Sequence, residues 1–137
     1  MRSSKPFLAG LTLAALLFTV VGDAFAADIK ANKKRGQVYF RMVCTACHVD
    51  MSRTTIPPAG RTMAEWRAYL DADKHDVSGR TNPSVRYYLS QAYRDSIKDQ
   101  NKAAKKFLST PDEQLYADVY QFAVTGAKDS DTPATCN

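Results

Sequence analysis

Gly36-Gln37-Val38-Tyr39-Phe40-Arg41-Met42-Val43-Cys44-Thr45-Ala46-Cys47-His48 is the stretch on which the reading of this chain turns. Just upstream stands Asn32, whose short side chain can accept a hydrogen bond from an orphan backbone N–H at a helix start. A helix is therefore expected from about Lys33 to Cys44. It delivers two thiols three residues apart, followed at once by an imidazole: Cys44-x-x-Cys47-His48.

Three chemistries use such a pattern. Two thiols at this spacing can add across the two vinyl groups on one edge of a porphyrin, which places the following His under the iron. A zinc site would need two further ligands, and His75 and Cys136 are the only remaining candidates. A redox dithiol of the thioredoxin kind belongs in a βαβ context, and no segment here alternates with period two for long enough to read as a strand. The pattern points to one haem c, tied covalently by Cys44 and Cys47, with His48 as the proximal iron ligand.

The beginning of the chain agrees with this chemistry. Arg2 and Lys5 precede an uncharged run, Phe7 to Val21, and then the small-residue exit Ala24-Phe25-Ala26. That order reads as a secretory signal peptide over residues 1–26, cut after Ala26 or Ala27, with the mature domain over 27–137 in the periplasm. The rival reading is a membrane anchor, but the run has 15 residues, and a spanning helix needs roughly 20. No stable membrane insertion is expected. Removing the leader lowers the net charge of +5 only by one. This mild basic excess, without an arginine-rich or aromatic-interleaved stretch, does not suggest nucleic acid. A mature chain this short builds a small core, which an embedded cofactor would help to stabilise. Three cysteines in an exported protein leave one over; Cys136 is expected as a free thiol or in an intermolecular disulfide.

Further along, the sequence reads as all-α. Thr62-Met63-Ala64-Glu65 is a capping box opening a helix to about Asp71. Asn82-Pro83 reads as a cap with proline at the first helical position, opening a helix with Tyr87, Tyr88, Tyr93 and Ile97, continuing towards Phe107 with a break near Asp99. Thr110-Pro111-Asp112-Glu113 reads as a second capping box, and Gly126 as the end of the last helix, on which Leu115, Val119 and Phe122 share a face. Val49 to Arg61 and Asp73 to Thr81 read as loops, and the tail from Lys128 as extended.

The segment from Lys33 to Cys47 resembles class I cytochromes c, with Gly36 eight residues and Phe40 four residues before the first Cys. The resemblance implies an all-α fold wrapped around one haem, with first and last helices crossing where Gly36 admits a close approach and Phe40 fills the crossing. It also implies a proline-bearing loop, here Pro57-Pro58, whose carbonyl accepts from the proximal His ring and strengthens it as a donor to iron. The family's usual distal Met, shortly before the last helix, has no counterpart, because no Met follows Met63.

The sixth ligand is therefore open to several candidates. Met42 and Met51 lie too near the proximal side. Met63 can reach the other face, since the 14 residues from Val49 to Thr62 can each span about 3.3 Å. With Trp66 and Leu70 it shares one helical face. Met63 is the expected distal ligand, His75 the alternative and an open or water-bound site the third. Arg61 and Arg67 are candidates for the haem propionates. Lys98, Lys102, Lys105 and Lys106 form either a solvated face or one that steers acidic redox partners. The expected function is one-electron transfer between redox proteins such as cytochromes and oxidoreductases, by a monomer that is not an enzyme. The alternative is a haem enzyme or gas sensor with an open iron position.

Overall fold

A helix that begins at Asn32 does not stop at the cysteines. In a computed structural model describing residues 29–75, 79 and 81–135, every regular element is helical and the protein is all-α. The proposed leader and Cys136 lie outside these residues. Helix α1 spans Lys33–Tyr39, with the Asn32 side chain accepting from the Arg35 N–H at 3.0 Å. A π-helical turn follows at Phe40–Thr45, and α2 at Ala46–Ser52. Nothing between Cys44 and Met51 breaks a helix, so the chain stays helical until Arg53 turns left-handed at φ 57°. The loop expected from Val49 starts at Arg53 instead.

The last helix, α7 (Asp112–Thr125), lies across α1. A Cβ on Gly36 would sit 2.0 Å from the Asp118 carbonyl oxygen, so the two backbones meet at van der Waals distance. Phe40 wedges into the crossing, its ring edge-on to Phe122 and Trp66 with centroids 5.4 and 5.9 Å apart. Leu115, Val119 and Phe122 are buried as their spacing requires. Asp118 is buried among them. Its carboxylate accepts from the Asn32 N–H at 2.6 Å, from Gln114 at 3.0 Å and from the Arg35 guanidinium, because a buried charge needs a full set of partners.

Helix α3 (Met63–Asp71) packs on α7 and opens with the expected capping box: the Thr62 hydroxyl accepts from the Glu65 N–H at 3.1 Å, and the Glu65 carboxylate accepts from the Thr62 N–H at 2.7 Å. The single helix expected from Asn82 is three short ones: α4 (Val85–Leu89), α5 (Gln91–Ile97) and α6 (Lys102–Lys106). Ser84, Ser90 and Asn101 cap them in turn. Asn82 does not cap a helix; its side chain accepts from the Ser84 N–H at 2.9 Å. The lysine face is divided accordingly, with Lys98 in the turn after α5, paired to Asp95 at 2.7 Å, and the other three at α6.

Buried Arg94 governs the end of this region. Its guanidinium donates to the carbonyls of Phe107 and Thr110 and to the Asp112 carboxylate. Asp112 also accepts from the Gln91 N–H at 2.8 Å. Thr110 therefore offers a carbonyl to Arg94, and Pro111 rather than Thr110 occupies the cap position of α7, without a side-chain bond. Gly126 ends α7; a Cβ there would come within 2.8 Å of the Ala134 side chain, which folds the tail back onto the bundle. The Ala134 N–H donates to the Gly126 carbonyl at 2.8 Å.

Candidate functional site

The π turn sets the orientation of the cysteines. Residues advance about 100° each around an α-helix, so one extra residue in a turn rotates everything after it by about that angle. Tyr39, Phe40 and Val43 are buried against the bundle, whereas α2 has no fully buried residue. Cys44, Thr45, Ala46, Cys47 and His48 are all half-buried, and Met42, Val49 and Met51 beside them are exposed. Cys44 and Cys47 are three apart on helical backbone and so share a face. Both thiols are free among the described residues, and the Cys47 Sγ lies 3.5 Å from the Met51 Sδ. The Thr45 hydroxyl between them is buried with no hydrogen-bond partner among the described residues.

The electrostatics of this face are those of a poorly hydrated surface. Burial pushes the Cys44 thiol up to about 12, and Cys47 beside it adds to the rise. Desolvation likewise pushes the Tyr93 phenol up to about 12, with the two cysteines as further contributors. Burial lowers the His48 imidazole below its ordinary range and so favours the neutral, metal-binding form. A redox dithiol needs a thiolate stabilised well below the usual thiol range; Cys44 is moved the other way. Among the described residues no three or more His, Cys, Asp or Glu gather as metal donors, so the zinc reading gains nothing.

Across from His48 stands His75. The two ring centroids are 5.7 Å apart and their planes are inclined at 72°. His75 also packs on Tyr88, with centroids 4.4 Å apart, and Tyr88 meets Tyr93 and Tyr87 in turn. Tyr88 is itself fixed: its hydroxyl accepts from the Asn82 N–H at 2.9 Å and its carbonyl accepts from the Tyr39 hydroxyl at 2.6 Å. The backbone that leads to His75 is tied down at Asp73 and at His75 itself. Asp73 adopts a left-handed φ of 50°, which reverses the chain after α3, and its carboxylate accepts from the Ser84 hydroxyl and the Arg86 N–H at 2.7 and 2.8 Å. The His75 N–H donates to the Pro83 carbonyl at 2.6 Å.

The remaining residues singled out by sequence lie around α3. Met63 is its first residue; its N–H donates to the Asp129 carboxylate at 2.7 Å, and its half-buried side chain packs on the core cluster that holds Trp66 and Leu70. Trp66 is buried, and its indole N–H donates to the Pro58 carbonyl at 2.7 Å. The Pro57 carbonyl accepts from the Gly60 N–H at 2.9 Å. Arg61 lies over the Trp66 and Tyr69 rings, its guanidinium carbon 5.7 and 5.1 Å from their centroids. Sequence reasoning did not single out Tyr88 and Tyr93 as part of the thiol and imidazole surroundings, nor Asp73 as the anchor of His75. Only the tyrosine-rich composition of 87–93 pointed that way.

Compared with family models, curated proteins and solved structures, the chain matches none. The face therefore has to be interpreted from its own chemistry. No helix among the described residues is long and apolar enough to cross a membrane.

Proposed function

We propose that the chain is a monohaem c-type cytochrome, an electron carrier rather than an enzyme, which works in the periplasm between other redox proteins after loss of residues 1–26. The observation that carries the reading is the presentation of Cys44, Cys47 and His48 on one helical, half-buried face. The donor set suits a haem: two free thiols on one side, a neutral imidazole beside them and an apolar surround. Tyr69, Tyr93 and Cys44 pack against the same core cluster. Met42, Val49 and Met51 leave apolar surface for such a group to cover.

When bound, the haem would supply the one-electron iron couple. The protein's own part is to hold and to exclude. Cys44 and Cys47 would bind the macrocycle by thioethers, so it could not dissociate from an exported chain. His48 would hold the iron from a helix whose upstream end is locked at the α1–α7 crossing. Trp66, tied to Pro58, and the Phe40 ring would back this region with a dry wall, limiting water around the group and so tuning its potential.

The test is direct. The chain, expressed with its leader in a host that attaches c-type haem, should be exported red, with a mass one haem above that of the leaderless polypeptide and colour that survives denaturation. Changing both Cys44 and Cys47 to Ala should abolish both. A colourless wild-type product with the bare polypeptide mass refutes the reading.

A further inference from the structure

We infer that His75 is the second axial ligand, so that the iron is held between two imidazoles, His48 and His75, and Met63 takes no part. The inference rests on the cytochrome reading above and deepens it. It stands on the geometry between the two rings.

A metal–imidazole bond is about 2 Å long, so two imidazoles on opposite sides of one metal have ring centres roughly 6 Å apart. The centroids of His48 and His75 are 5.7 Å apart. The centroid separation of His48 and His75 is thus close to that of two imidazoles bound to one metal. On His75 the Tyr88 ring also packs, with centroids 4.4 Å apart.

The position of His75 is also imposed by the fold. It follows Asp73, whose left-handed backbone and carboxylate bonds to Ser84 and Arg86 set the direction of the segment. Its own N–H is bound to Pro83. Tyr88 packs on the ring and is held by Tyr39, a core residue of α1. An axial ligand needs this kind of supporting shell. Met63, by contrast, faces the core with Trp66 and Leu70, and its backbone is bound to Asp129.

The experiment compares the oxidised and reduced spectra of exported wild-type, Met63→Leu, His75→Ala and His75→Met proteins, each first checked by mass for covalent haem. Wild type and Met63→Leu should both be low-spin and lack the far-red sulfur-to-iron band. His75→Ala should turn high-spin, bind carbon monoxide when reduced, and recover the low-spin spectrum on adding imidazole. His75→Met should gain the far-red band, and it keeps the question answerable if His75→Ala fails to fold. A far-red band in wild type that Met63→Leu removes overturns the assignment, as does an unchanged low-spin spectrum in His75→Ala or His75→Met. Absence of haem from the wild-type mass refutes the cytochrome reading itself, a different failure from haem present with another ligand.

Discussion

The α1–α7 crossing and the face of α2 are successive parts of one helical run, yet they are packed in opposite ways. At the crossing Gly36 leaves no room for a methyl group, Phe40 is gripped by two rings, and even the buried Asp118 carboxylate is fully engaged. One π turn later the thiols and His48 are half-buried, a threonine hydroxyl is buried without a partner among the described residues, and Val49 and Met51 face outward. The first region is complete as protein. The second leaves thiols, an imidazole and apolar side chains partly open, on a helix that continues directly from the crossing. On the proposed function, mutations should act through stability in the first region and through haem binding in the second.

The largest effect should come from Gly36→Ala. Helix propensity alone favours alanine by about 1 kcal/mol. A Cβ would, however, lie 2.0 and 2.4 Å from the Asp118 carbonyl oxygen and carbon, and backbone cannot move aside as a flexible side chain can. Overpacking of this kind costs about 1–3 kcal/mol and more where backbones must part, so a net loss of about 3 kcal/mol is expected in urea unfolding. A variant as stable as wild type would mean that the helices do not meet as described.

A middling effect should follow Asp73→Ala, at the anchor two residues ahead of His75. It removes the acceptor of the Ser84 hydroxyl and the Arg86 N–H and leaves alanine with a left-handed φ. A loss of about 1–2 kcal/mol is expected from the hydrogen bonds and the backbone together. The signature is disproportion: the optical spectrum of the haem-bearing protein should acquire a high-spin fraction, although Asp73 is not itself a proposed ligand. A stability loss with an unchanged spectrum would show that the anchor does not act on His75.

How much of this was legible in the sequence follows from the range of each interaction. Asn32, the Thr62–Glu65 box and the C-x-x-C-H spacing could be read because each partner lies within a few residues. Gly36 and Phe40 were legible through resemblance, and the structure gives them the close crossing that it implied. The continuation of the helix through α2 was missed because a motif at a helix end was taken for the end itself. The division of 85–106 was missed because Ser84, Ser90 and Asn101 are ordinary polar residues until their neighbours' amides need them. Buried Arg94 and Asp118 were invisible, since a charge on a helix normally signals solvent. The meeting of His48 with His75, 27 residues apart in sequence, depends on Asp73 reversing the chain, a tertiary event with no local pattern.

The smallest effect should come from the exposed apolar residues of α2. Val49 and Met51 are 38% and 64% exposed, so both keep a substantial part of their surface in solvent. In a Cys44→Ala, Cys47→Ala background, which cannot attach the group, changing both to Ser should alter stability by no more than about 0.5 kcal/mol, as for surface positions elsewhere. In the haem-bearing chain the same pair should have a larger effect, because a bound macrocycle would bury area that is worth about 25 cal/mol per Å². The double difference isolates the contribution of contact with the group. Equal effects in both backgrounds would mean that these side chains lie clear of it, and the apolar surface of α2 would then need another explanation.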